Sequence, residues 1–276
     1  MAATLPGSAQ LRFDLNQGWI APRRGAAVWE YMIAIRPLSP DCAVKRQAGQ
    51  CTTCSAREFS VCGALGDADL YKMNALAEHV TLKAGETLTR EGDPARHLFN
   101  ITAGSVRVFK LLPDGRRQIM GFLFAGDLLG LTAGDEFAFS AEAVEDMTAC
   151  RFKRPAYRAL VKDSPALEAA LLERANHELA AAHNQMVLLG RKTAQERLAT
   201  FLLDLPSKDP ARFDGPNHVR LPMSRSEIAD YLGLTIETVS RVLTKLKTQG
   251  LIQLTSLNDV TIVHPAALRR IAEGDA

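Results

Sequence analysis

The spacing of apolar positions changes twice along this chain, and the changes divide it. From Asp69 to about Cys150 the apolar runs are short and rich in Val, Leu, Ile and Phe. They are broken by Gly85-Glu86, Gly92-Asp93, Gly104, Asp114-Gly115, Gly126-Asp127 and Gly134-Asp135. Turn signals at this close, fairly even spacing predict a small all-β sandwich or barrel. Within it Phe99 and Ile101, then Val106 and Val108, alternate with polar neighbours, as half-buried strands do. Leu111-Leu112-Pro113-Asp114-Gly115 reads as a strand running into a hairpin turn.

The period then lengthens. Ser164 is placed to cap a helix with Pro165 at its first position, a strong start signal. Beyond it Leu171, Ala175, Leu179, Ala182, Met186 and Leu189 recur at steps of three and four, which makes a narrow apolar stripe. Such a stripe either packs on the β domain or forms a seam between two protomers, where small Ala residues permit close approach. A second amphipathic helix is predicted over Ala194 to Leu205, followed by a polar loop, Pro206 to Asn217, containing Pro210 and Gly215-Pro216.

The last segment reads as two short helices and a hairpin. Ser224-Arg225-Ser226-Glu227 has the form of a capping box, opening a helix through Tyr231-Leu232. Gly233 supplies a flexible turn, Thr235 caps a second helix, and Gly250 ends it near Gln249. Ile228, Ala229, Leu232, Leu234, Val239, Val242, Leu243 and Leu246 form the apolar side that locks the pair. Glu237, Ser240 and Arg241 share the opposite face at i, i+3 and i+4. That triplet suits base reading: Arg donates twice to guanine, Glu accepts from cytosine, and Ser meets a base edge or a thymine methyl. Lys245 and Lys247 suit phosphate contacts, which position without specifying. The DNA-reading pattern decides the earlier choice in favour of a protomer seam, because such heads read palindromes in pairs. Ile252 to Leu254 and Val260 to Val263, around Asn258-Asp259, predict a wing.

Composition adds constraints. The 276 residues suffice for more than one domain. Apolar content of 47% and charged content of 23% are ordinary for a globular chain, and a net charge of +2 neither demands nor excludes nucleic acid. No apolar run reaches the roughly 18 residues of a membrane span. The first 31 residues lack the pattern of a secretory signal. They read as a disordered tail or a mis-annotated start, with Met32 as an alternative initiator. Five cysteines are too sparse for a secreted disulfide scaffold, so a cytoplasmic protein with reduced thiols is expected. No P-loop, G-x-S-x-G or H-E-x-x-H occurs and the six His residues are scattered, so no enzyme is predicted. Cys51, Cys54 and Cys62 stand as C-x₂-C-x₇-C. Thiols so spaced are placed to hold something in common, whether a metal ion, an iron–sulfur cluster or a disulfide. Zinc sites usually draw on two close pairs of ligands, whereas Cys150 stands alone. A Cys51–Cys54 switch leaves Cys62 and Cys150 without a task. Cys150 also fits a buried small hydrophobe.

Leu221 to Gly250, with Tyr231-Leu232-Gly233-Leu234-Thr235 and Glu237-Thr238-Val239-Ser240-Arg241, resembles the DNA-binding domain of the CRP/FNR superfamily. Arg191 to Ala199 is similar to the segment after that family's dimerisation helix, and Gly104-Ser105-Val106 and Phe124-Ala125-Gly126-Asp127 resemble its β-roll. The resemblance implies an α+β chain: a disordered or mis-annotated segment over residues 1–41, a cysteine arm and β-roll (cyclic-nucleotide-binding-like) sensory domain over 42–163, a dimerisation helix over 164–191, and a C-terminal winged helix-turn-helix domain over 192–276. It adds Thr238 to the DNA-contacting set and implies a homodimer on promoter DNA of TTGAT-N4-ATCAA type, acting with RNA polymerase. The exposed Asp114-Gly115-Arg116-Arg117 loop is a candidate polymerase contact.

The oxygen-responsive FNR subgroup ligates a 4Fe-4S cluster through three N-terminal cysteines and one in the β-roll. Cys51, Cys54, Cys62 and Cys150 match that pattern, the seven-residue gap resembling one subgroup, and Cys42 is left as a spare thiol. Cyclic-nucleotide binders of the superfamily carry an Arg-Ser pair. Here Phe137-Ala138-Phe139-Ser140-Ala141-Glu142 has no Arg beside the Ser, so no cyclic nucleotide is expected. Some FNR proteins place an acidic residue in the seam where this chain has Ala182, with Glu178 one turn earlier. Two outcomes therefore stay open for the oxidised form: a dimer that does not fully dissociate, or dissociation with Glu178 standing in for the acidic residue.

Overall fold

The computed structural model describes residues 13–14, 18–19, 49–132, 134–208 and 217–275. The chain divides into two units, Met1–Pro40 and Asp41–Ala276. In the first, β1 (Phe13–Asp14) pairs antiparallel with β2 (Gly18–Trp19). Cys42 and Met32 lie outside the described residues.

In the second unit the even turn signals close two four-stranded antiparallel sheets. One runs in the order β3 (Glu78–Leu82), β10 (Met147–Lys153), β5 (His97–Ala103), β8 (Leu128–Leu129). The other runs β4 (Thr87–Thr89), β9 (Ser140–Ala143), β6 (Val106–Leu111), β7 (Arg117–Leu123). Phe99, Ile101, Val106, Val108, Met147 and Ala149 fill the space between them.

Two expectations need correction here. The strands begin at Glu78, because Asp69 lies in helix α1 (Asp67–Leu76). Asp67 and Asp69 occupy its first turn, where acidic groups favour a helix N-terminus, and Leu70 and Met73 are fully buried. β5 is also not half-buried: Leu98 and Asn100 are as enclosed as Phe99 and Ile101. Its second face is covered by the cysteine-bearing segment and by α1, so the expected alternation is lost.

Helix α2 (Arg154–Asp163) leads into α3 (Pro165–Arg191). Ser164 caps α3 as its spacing predicts: its Oγ accepts from the Leu167 amide and donates to the Asp69 carboxylate at 2.6 Å. α4 (Ala194–Lys208) carries Pro206 inside its last turn, so the polar loop starts later than predicted. The C-terminal part is β11 (His218–Arg220), α5 (Arg225–Leu232), α6 (Ile236–Thr248), β12 (Ile252–Leu254), β13 (Asp259–Ile262) and α7 (Pro265–Glu273). The wing therefore has three strands, ordered β11-β13-β12; three-residue β11 is too short for a period to reveal. Among the described residues no helix is long and apolar enough to cross a membrane.

One apolar core joins the β-roll to the C-terminal part. Phe109, Ile119 and Phe122 pack in the same cluster as Leu202, Leu232 and Leu246. Tyr231 sits between Phe122 and Phe201, with ring centroids 5.5 and 5.7 Å away.

Candidate functional site

Short 3₁₀ turns, Gly49–Thr52, Arg57–Phe59 and Val61–Ala64, fold the cysteine arm. The Arg57 amide donates to the Cys54 carbonyl at 3.2 Å, and Ser60 Oγ accepts from the Cys62 amide at 3.2 Å. These turns compress the seven-residue gap and bring Cys54 back toward Cys62. Cys150 comes from β10, on the face opposite Met147 and Ala149. Cys51, Cys62 and Cys150 are buried and share one apolar cluster with Leu70, Phe152, Tyr157 and Leu167; Cys54 is half-buried. All four are free thiols.

Burial and the neighbouring thiols both oppose ionisation of these cysteines. Burial, followed by the charges that Cys62 and Cys54 would carry, pushes the Cys51 thiol up to about 11. Burial, then Cys51, Cys54 and Cys62, pushes Cys150 up to about 12. Burial likewise raises Cys62, partly offset by the Ser60 hydrogen bond and by Arg57. Thiolates here therefore require a positive counter-group. Among the described residues, no group of three or more His, Cys, Asp or Glu side chains is arranged to hold a metal ion.

The arm is seated on two elements that lead to α3. Leu167 belongs to the cysteine-bearing cluster, and Ala170 and Leu171 pack against it. Phe59 lies over Gly126, where a Cβ would stand 2.7 Å from the Phe59 carbonyl oxygen. Gly126 also has φ of +98°, so the site excludes side chains twice over. Next to it Asp127 accepts from the Phe124 amide at 2.8 Å and pairs with Arg174 of α3. Arg174 also reaches Glu178 at 3.3 Å.

Along the rest of α3 an apolar line is uncovered. Leu172, Leu179 and Met186 are 64%, 56% and 68% exposed, at seven-residue steps, with Ala175 and Ala182 exposed between them and Leu189 half-buried at the end. Leu171, predicted as the first member of the line, instead packs toward the cysteines, and Leu172 takes its place. Periodicity could not separate two adjacent leucines; their packing does.

The reading head has the predicted local geometry. Ser224 and Glu227 form a reciprocal capping box, and Gly233 takes a left-handed conformation, φ 62° and ψ 43°. Thr235 caps α6, accepting from the Thr238 amide. Val239, Leu243 and Leu246 are buried beneath it. Glu237, Ser240, Arg241, Lys245 and Lys247 are exposed and Thr238 half-exposed. Lys245 Nζ donates to Gln195 Oε1 at 2.6 Å.

A groove of about 570 Å³ separates α3 from the β-roll, lined among others by Met120, Leu123, Leu129, Arg174, His177 and Gln185. Arg174, a cation that could meet a phosphate there, is already committed to Asp127 and Glu178.

The Crp-like helix-turn-helix domain family matches residues 196–271, and the Cyclic nucleotide-binding domain family matches residues 79–164. The chain is 40% identical over 222 residues to the nitrogen fixation regulation protein FixK of Bradyrhizobium diazoefficiens, covering 80% of this chain and 93% of that protein. The chain belongs to the CRP/FNR family of transcription regulators. It is 33% identical to the transcriptional activator protein FnrL of Cereibacter sphaeroides over 82% of this chain and 93% of that one. It is also similar to the solved structure of FixK2 from Bradyrhizobium japonicum, with a TM-score of 0.66, 37% identity, and coverage of 71% and 96%.

In this CRP/FNR chain the reading head is tied to its own β-roll by charged contacts that sequence reasoning missed. Arg107 of β6 donates to Glu142 at 2.5 Å and to Glu227 of the capping box at 2.7 Å. Arg117 of β7 pairs with Asp230 at 2.8 Å, and Gln118 donates to the Asp230 carbonyl. Gln185 of α3 donates to the Tyr231 carbonyl at 3.0 Å. Arg107 and Glu227 are 120 positions apart, so only the fold reveals the pairing. Family membership makes this chain a transcription regulator with a helix-turn-helix DNA-binding domain.

Proposed function

We propose that this regulator responds to oxygen through a 4Fe-4S cluster held by Cys51, Cys54, Cys62 and Cys150, and that it binds palindromic TTGAT-N4-ATCAA-like promoter DNA as a homodimer. The observation that carries the reading is the gathering of three buried free thiols, Cys51 and Cys62 from the arm and Cys150 from a distant strand, into one cluster, with the half-buried free thiol of Cys54 on the same arm. The donor set fits the group. It is all sulfur, the ligands iron–sulfur clusters take, and its raised thiols need a positive partner to ionise. When bound, the cluster supplies an oxygen-labile tie between the arm and β10.

The chain's own residues connect that tie to DNA. The arm's turns share an apolar cluster with the first two turns of α3, and Phe59, Gly126, Asp127 and Arg174 form a second route to the same helix. α3 presents the line of Leu172, Ala175, Leu179, Ala182, Met186 and Leu189 to a second copy of itself. Pairing sets two α6 helices about one DNA turn apart, roughly 34 Å. Arg241 and Glu237 then read the G·C pair of each half-site and Ser240 and Thr238 flank them, while Lys245 leaves Gln195 for a phosphate. The commitment of Arg174 to two carboxylates speaks against a cyclic nucleotide as the effector, since that guanidinium is not free to meet its phosphate.

The test is fluorescence anisotropy on a labelled TTGAT-N4-ATCAA duplex, with anaerobic protein before and after exposure to air. Binding should be tighter without air, and Cys150→Ser should abolish the difference. Equal affinity in both states of the wild type would contradict oxygen sensing.

A further inference from the structure

Beside the Cys150 face of β10 lie two buried polar atoms without hydrogen-bond partners, one on β5 and one on α2. In the antiparallel register Cys150 stands opposite His79 on β3 and opposite Asn100 on β5. The three residues form one row across the face that the arm covers. Asn100 is 3% exposed; its Nδ2 donates to Cys62 Sγ at 3.7 Å, and its Oδ1 is buried with no hydrogen-bond partner. Cys150 Sγ lies 3.7 Å from His79 Nδ1.

Tyr157 approaches from α2. It is 2% exposed and belongs to the same cluster as Cys51, Cys62 and Cys150, its ring packed on Phe152 at 5.3 Å between centroids. Its hydroxyl is buried and has no hydrogen-bond partner.

An unsatisfied buried hydroxyl or amide costs about 1–3 kcal/mol. A neutral thiol is a poor acceptor, whereas a charged sulfur accepts strongly. A phenylalanine at 157 and a leucine at 100 would fill the same space without that cost. The unpartnered Tyr157 hydroxyl and the Asn100 Nδ2 already aimed at Cys62 Sγ are therefore matched to a site whose sulfurs carry charge, which the thiol form does not provide.

We propose that Asn100 and Tyr157 donate hydrogen bonds to the sulfurs of the thiolate-bound cluster and so set its resistance to oxidation. This assignment rests on the reading of the four cysteines as cluster ligands. Donors to sulfur favour the more negative, reduced state and raise the reduction potential. Removing them lowers the potential and makes the loaded protein easier to oxidise. Nothing in the sequence marks either residue, because the sheet register and the placement of α2 bring them to the site.

The experiment uses full-length protein purified and reconstituted without oxygen, as wild type, Tyr157→Phe, Asn100→Leu and the double variant. Iron per chain, the midpoint potential from a redox titration followed by visible absorption, and the rate of bleaching in air are measured for each. Iron should match the wild type, the midpoint should shift to more negative values, and bleaching should be several-fold faster, most of all in the double variant. Tyr157→Phe keeps the ring packing on Phe152 and decides the matter alone should Asn100→Leu lose its iron. Unchanged potential and bleaching rate in an iron-loaded Tyr157→Phe protein would overturn the role of Tyr157, and the same result in the double variant would overturn the proposal. A wild type that takes up no iron would instead overturn the cluster reading on which the proposal stands.

Discussion

Gly126 has no side chain, and the cysteine arm occupies the space one would take. A Cβ there would meet the Phe59 carbonyl at 2.7 Å, on a backbone with φ of +98°. Gly126→Ala should therefore cost about 1–3 kcal/mol, read as a lower urea midpoint in the reduced protein. An unchanged midpoint would mean that Phe59 does not rest there in solution. At the other end, Arg241→Ala should weaken DNA binding by about 1–3 kcal/mol and relax preference at the guanine it reads. Anisotropy titrations against duplexes altered at the G·C pair measure both, and a variant with wild-type preference would remove Arg241 from base reading. Residues of these two kinds differ in how visible they are from sequence. Arg241 and Glu237 stand on a helix whose period and caps are local, and the cysteines announce themselves by spacing. Asn100, Tyr157 and Arg107 become functional only through partners far along the chain, and no local pattern encodes that.

At the scale of elements, α3 is held at its start by one serine. Ser164 caps the helix through the Leu167 amide and donates to Asp69 of α1, so it links α1 to α3. Ser164→Ala should cost about 1–2 kcal/mol in urea unfolding. The hydrogen bond from Ser164, then that from Lys72, holds the Asp69 carboxyl below its ordinary value of 3.8. A depressed carboxylate contributes stability that is complete above the unfolded value and is lost as pH falls through the folded one. Asp69→Asn should accordingly flatten the loss of stability below about pH 4; acid titration followed by circular dichroism reads it, and an unaltered acid limb would contradict the linkage. The uncovered line of α3 calls for a different readout. Leu179→Glu places charge at its centre and should yield monomers in sedimentation equilibrium, with half-site affinity only; an intact dimer would place the seam elsewhere. The start of α3 was legible because capping is local. The side of β5 facing the arm was not, because burial on both faces erases the alternation that marks a strand, and Leu171 was misplaced because two adjacent leucines fit one stripe.

The whole molecule joins three reading steps through shared cores. The arm, α1, α2 and the first turns of α3 form one cluster, while the β6–β7 face, the end of α3 and the reading head form another. Arg107 bridges Glu142 of the β-roll and Glu227 of the reading head. Arg107→Ala leaves two carboxylates facing each other with little solvent and should cost about 3–5 kcal/mol. The order of the domains was legible in the changing apolar period and the turn signals. The docking of the head on the β-roll was not, because it rests on Tyr231, Arg107 and Asp230 meeting across the fold. The central claim is that the four gathered thiols hold an iron–sulfur cluster, and the most direct measurement is iron and acid-labile sulfide per chain in protein purified without oxygen. About four of each per chain, reduced sharply in Cys150→Ser, is the expected result. A colourless wild type carrying one zinc ion per chain, or no metal, would contradict it.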